Sequence, residues 1–182
     1  TLDLQSTQTF ATLNLNGTIS NSTGSSALTI AGASDIGGSI TTSGTQTYSG
    51  AVTLSGGDRI LTGTIINFGS TLAGGTNGLT ITGNVDLDGA ATNLSTLAVS
   101  GTSDLGAYVT TSSTQTYSGA VTLSTDVTLT TTDSNITFSS TIDSDSADSK
   151  RDLTLTLGSG SATITGIVGT TSLADITLNS SA

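Results

Sequence analysis

Gly32–Ser55 reads GASDIGGSITTSGTQTYSGAVTLS, and Gly101–Ser124 reads GTSDLGAYVTTSSTQTYSGAVTLS, nearly the same text 69 positions later. A fainter third echo, Ser6-Thr7-Gln8-Thr9-Phe10, matches Ser113-Thr114-Gln115-Thr116-Tyr117 with Phe for Tyr. Self-similarity at a fixed period describes an array in which one supersecondary unit stacks on the next. The chain of 182 residues is expected to be a single repeat domain over 1–182, with a partial unit at about 1–31 and units at 32–100 and 101–182.

Inside each unit, apolar residues alternate with Thr, Ser or Asn. Ala51-Val52-Thr53-Leu54, Leu79-Thr80-Ile81-Thr82 and Leu153-Thr154-Leu155-Thr156-Leu157 are examples. Alternation with period two marks strands that bury one face. Gly56-Gly57, Gly74-Gly75, Asn77-Gly78 and Gly158-Ser159-Gly160 punctuate them as turns. Asn14, Asn16, Asn77 and Asn135 are expected at turns, because Asn tolerates the left-handed region.

An immunoglobulin-like sandwich needs a longer unit and commonly a buried Trp. This chain has no Trp and only six aromatic residues. The expected fold is all-β: a parallel β-helix with three short strands per coil and small branched residues filling a thin interior. Read as three coils per 69-residue unit, the chain holds about eight coils, a rod roughly 40 Å long at the spacing of adjacent strands. From Phe138 onward the second unit carries extra residues, so the offset between matching strands grows from 69 to 74. A surface loop is therefore expected near 143–152.

Composition removes whole classes of function. Cys, Met, Trp, Pro and His are absent, all thirteen acidic residues are Asp, and the net charge is −10. Good helix formers are scarce, while Thr, Val and Ile suit a pleated surface. Thiolate and imidazole zinc sites cannot be assembled within the chain, nor can Ser-His or Cys-His nucleophile systems. The basic residues Arg59, Lys150 and Arg151 are too few for nucleic-acid phosphates. The same acidity disfavours anionic membrane surfaces, and no apolar run is long enough for a spanning helix. Scarcity of Lys and Arg fits an extracellular protein that meets trypsin-like proteases. The chain starts at Thr1 with no initiator Met and no basic leader, and is expected to be a piece of something longer.

The run Gln46, Tyr48, Gly50, Val52, Leu54 followed by Phe68-Gly69-Ser70, repeated as Gln115, Tyr117, Gly119, Val121, Leu123 and Phe138-Ser139-Ser140, is where a resemblance shows. It is similar to the repeats of large bacterial surface adhesins of the filamentous-haemagglutinin type. From about Leu28 onward most of the chain resembles them, with Ser139 replacing the usual Gly. The resemblance implies a right-handed parallel β-helix serving as the shaft of an exported adhesin or surface filament. It implies adjoining repeats as partners and glycan contacts made through other modules, and carries no binding residue over to this segment; self-association into filaments through unpaired coil edges is a further expectation. Catalytic residues, cofactor and metal are accordingly each expected to be none.

Four patterns still bear chemistry. Asp143, Asp145, Asp148 and Asp152 could offer oxygen ligands to Ca²⁺, although the turn Gly and closing Glu of an EF-hand are missing and Lys150 and Arg151 oppose it. A solvated loop is the favoured reading. Asp86 and Asp88, on one side of a strand about 7 Å apart, mimic a glycosidase carboxylate pair without any sugar-holding groups nearby. Polysaccharide cleavage is the weakest reading. Thr80/Thr82, Thr128/Thr130 and Thr154/Thr156 suggest an ice-binding face, and Tyr48 and Tyr117 a sugar-stacking platform, each weighed against ladder or corner packing. Five N-glycosylation triplets, at Asn16, Asn21, Asn93, Asn135 and Asn179, are what chance supplies in so Asn-, Ser- and Thr-rich a chain.

Overall fold

A computed structural model describes residues 1–181. The alternating segments form 24 strands, all paired in parallel, with no helix among the described residues. They wind into a β-solenoid of nine stacked coils, each with three faces. The third coil shows the plan: Ile40–Thr41 on the first face, Gln46–Tyr48 on the second and Val52–Leu54 on the third. Arg59–Phe68 and Leu79–Leu87 run through a corner and serve two faces each. In the last coil a single bridge from Val168 to Ile142 supplies the second face.

Alternation decides which side chain faces inward. Residues one apart point to opposite sides of a strand, so every second residue enters the interior. Stacking in register then builds columns along the axis. The first-face column is Leu2, Ile19, Ile40, Leu61, Ile81, Val99, Tyr117, Phe138 and Ile164. The third-face column is Leu13, Ser34, Val52, Leu72, Ala91, Val109, Leu129, Leu155 and Leu178. Between the terminal coils the apolar members of these columns belong to one continuous buried core, and Ser34 is buried among them. Exposed Leu2, Ile176 and Leu178 belong to end coils; their columns simply lack a neighbour on one side.

The coil count and the unit phase differ from expectation. There are nine coils, not eight, and the 69-residue unit is not three coils. Gln46–Tyr48 lies on the second face of coil three, whereas its copy Gln115–Tyr117 lies on the first face of coil seven. A unit is eleven face segments, or three and two-thirds coils, so its features rotate by one face per repeat. Most coils need fewer than the expected 23 residues; Val99 to Tyr117 takes 18 and Tyr117 to Phe138 takes 21.

Corners stay tight because glycines stack there. A β-carbon on Gly63 would lie 2.7 Å from the Gly44 carbonyl oxygen, and one on Gly101 2.5 Å from that of Gly83. Gly83 itself has φ of 135°. The expected Asn turns are met in part. Asn77 Nδ2 donates to the Leu54, Gly74 and Gly75 carbonyls at 3.2, 2.9 and 3.3 Å, while the left-handed residue is its neighbour Thr76. Asn14 is a strand residue, in Leu13–Leu15, and Asn93 and Asp133 take left-handed conformations instead. The extra residues leave the stack as a loop over 145–152, between the strands Ile142–Ser144 and Leu153–Gly158.

Candidate functional site

The QTY sequence builds the same interior polar cluster twice. In the first copy, Gln46 and Tyr48 both point inward and both are fully buried. The Tyr48 hydroxyl donates to Gln46 Oε1 at 2.8 Å. Gln46 Nε2 donates to the carbonyl of Thr62 in the next coil at 2.9 Å, with longer contacts to Ile40 O and Thr42 Oγ1. In the second copy, Tyr117 donates to Gln115 Oε1 at 3.0 Å, and Gln115 Nε2 donates to Thr130 O at 2.9 Å. Each Tyr ring stacks on the Phe one coil on, Tyr48 on Phe68 at 5.4 Å and Tyr117 on Phe138 at 5.2 Å. Burial drives both phenol pKa values far above the ordinary range. A sugar-stacking role for these two tyrosines is thereby excluded, because no ring face meets solvent.

Asp86 and Asp88 follow each other at the outward positions, near enough for the charge of Asp88 to act on Asp86. Asp86 lies outward on the second face, Asp88 just past the strand end. In register with Asp86, one coil on, is Asp104, which sequence spacing alone does not place beside it. Asn67, one coil back, donates to Asp86 Oδ2 at 2.6 Å. Partial burial raises the Asp86 pKa, the charge of Asp88 raises it further, the Asn67 bond acts against this, and Asp104 adds a smaller push upward. Asp86 and Asp104 edge a shallow groove with Ile65, Asn84, Thr102 and Thr122. Asp104 Oδ1 is buried without a hydrogen-bond partner. The signal available in the sequence was the Asp-Leu shared by Val85-Asp86-Leu87 and Ser103-Asp104-Leu105, once the coil length was known.

Asp143, Asp145, Asp148 and Asp152 do not converge. Asp143 Oδ1 accepts the Thr171 backbone N–H at 2.9 Å, bridging coils. Asp145 forms a two-pronged ion pair with Arg151 at 2.8 and 3.0 Å, which holds its carboxyl below the usual range. Asp152 offers its N–H to Asp126 Oδ1 at 3.0 Å, and Asp148 stands exposed. Among the described residues no cluster of three or more acidic groups has a geometry that could hold a metal ion.

The threonines split between faces. Thr128 and Thr130 stack on Thr154 and Thr156, and Thr177 continues the first row, all on the third face. Thr80 and Thr82 are on the first face, where Thr80 is followed by Ala98. Side-chain acceptors elsewhere tie coil to coil: Asp58 to the Gly78 N–H, Asn84 to that of Thr102 and Asn135 to that of Ser161. Comparison with protein-family models, curated proteins and solved structures finds no match to this chain.

Proposed function

We propose that this chain is a stretch of the shaft of an extracellular bacterial adhesin or surface filament, acting through rigidity, reach and resistance to proteolysis, without catalysis. The observation that carries the reading is the unbroken ladder of nine coils around one apolar interior. Stacked repeats of this kind bear load along a hydrogen-bonded axis. The adhesin-like QTY-x-G-x-V-x-L run supports it, because that run makes the buried clusters pinning coil to coil. Few trypsin sites are open: the Arg59 guanidinium is tied to the Ser55 carbonyl, and Arg151 to Asp145.

The test is surface labelling of intact source cells with an antibody against the loop around Lys150. Labelling that disappears after brief trypsin treatment of whole cells is the expected result. An epitope reached only after lysis overturns the reading. The stacked threonines of the last three coils favour a second reading, an ice- or carbohydrate-binding face. An ice-recrystallisation assay and a glycan array, run on wild type and on Thr128→Val/Thr154→Val, would separate the two.

A further inference from the structure

We propose that Tyr108 anchors a carbohydrate site on the third face, and that its ligand is a neutral, extended oligosaccharide. The inference rests on the carbohydrate reading of the threonine face and not on the shaft role. Tyr108 is 51% exposed, the one exposed aromatic among the described residues, whereas Tyr48, Phe68, Tyr117 and Phe138 fill the interior. The fold has no need of a ring there. In the nearly identical first unit the same place is Ser39, where Gly38-Ser39-Ile40 stands for Ala107-Tyr108-Val109. A Tyr left in water, where its own repeat manages with Ser, presents a rigid apolar plane with a polar tip, the side chain that most often anchors a contact.

The register surrounds that ring with hydroxyls. Val109 points inward, in register with Leu129, so Tyr108 and Thr110 point out, about 7 Å apart along the strand. Tyr108 therefore heads a row that continues through Thr128 and Thr154, and Thr110 a parallel row through Thr130 and Thr156. Ala90, one coil back in the row of the ring, is too small to cover it. These are coils six to eight, each with a coil on either side. Neither row carries a charge there, although the chain has a net charge of −10. A pyranose brings to such a surface an apolar C–H face for the ring and a rim of hydroxyls for the threonines. The missing charge suits a neutral sugar, and the straight double row suits an extended chain. Units of a β-linked glucan repeat at close to the coil rise of about 4.8 Å, so successive sugars meet successive threonines. Ice, the alternative occupant, is matched by an even lattice of hydroxyls, which a Tyr standing in one row interrupts.

The experiment is titration calorimetry of the full chain with cellohexaose, with chitohexaose and, as an anionic control, with hexagalacturonate. Expected is binding of at least one neutral hexamer, with hexagalacturonate weaker. Tyr108→Ser, the residue the first unit already carries, should weaken that binding at least about tenfold while the denaturant midpoint stays at the wild-type value. Tyr108→Phe should keep the affinity. Failure of both neutral hexamers to bind overturns the proposal and the carbohydrate reading together, and leaves the shaft role standing. Binding that survives Tyr108→Ser but is lost in Thr128→Val/Thr154→Val overturns the Tyr108 anchor alone and leaves the carbohydrate reading in place. Hexagalacturonate binding more tightly than either neutral hexamer overturns the assignment of a neutral ligand.

Discussion

At the residue scale the two units carry a built-in comparison between satisfied and unsatisfied polar groups in one interior. Tyr48 and Tyr117 each give a hydrogen bond to a buried Gln, whereas Ser34 and Ser103, equivalent in the two units, have buried hydroxyls with no partner. Removing the phenol leaves a Gln oxygen unpaired in the interior, while removing an unpartnered hydroxyl leaves nothing behind. Tyr117→Phe should therefore destabilise by about 1–3 kcal/mol and Ser103→Ala should stabilise by up to about 1 kcal/mol, measured by denaturant unfolding. Asp86 extends the argument to pH. A carboxyl whose folded pKa is raised adds stability as pH falls, and that contribution is lost as pH climbs from the ordinary Asp value through the raised one. Asp86→Asn should melt above wild type at neutral pH, and the difference should shrink as acid protonates the wild-type carboxyl. Asp3 and Asp145, both shifted downward, act with the opposite sign in either protein and cancel from the comparison.

At the element scale, the strands and the corner loop were legible in the sequence because period-two alternation and Gly pairs have direct physical causes. Val52–Leu54, Val121–Leu123 and Leu153–Gly158 all lie where the alternation puts them. The coil length was not legible. All three faces ask for the same inward apolar and outward polar pattern, so a unit can occupy any face, and its period need only be a whole number of segments. Nothing in Gln46-Thr47-Tyr48 says that its copy sits one face round. The interior polar cluster was hidden for the same reason: Gln46 meets Thr62 only once the coil closes. The loop after Ser144 should be separable from the stack. It is closed locally by Ser144 Oγ on the Ser146 and Ser149 carbonyls and by the exposed Asp145–Arg151 pair. Trypsin should cut first at Lys150, and the two fragments should stay together through native gel filtration with unchanged circular dichroism. Dissociation after the cut would show that the loop carries the stack.

At the scale of the whole molecule, the offset between sequence unit and coil turns the rod into a screw. Each repeat advances three and two-thirds coils, about 18 Å, and steps round by one face, so three repeats pass before a feature returns to its starting side. A ligand group carried once per unit would therefore be shown around the rod and not along one edge, whereas units of a whole number of coils would line it up. Thr47 and Thr116, identical places in the two units, are on different faces, while Thr29 and Thr47 are paired neighbours in adjacent coils. With no native Cys to interfere, engineered cysteines report this directly. Thr29→Cys/Thr47→Cys should oxidise to a disulfide, because facing α-carbons in adjacent strands fall within the roughly 4.4–6.8 Å a disulfide spans. Spin labels at Thr47→Cys/Thr116→Cys should give a distance longer than the axial rise of one repeat alone, about 18 Å, because the labels also diverge around the axis. A value equal to the axial rise alone would place both copies on one face and remove the screw.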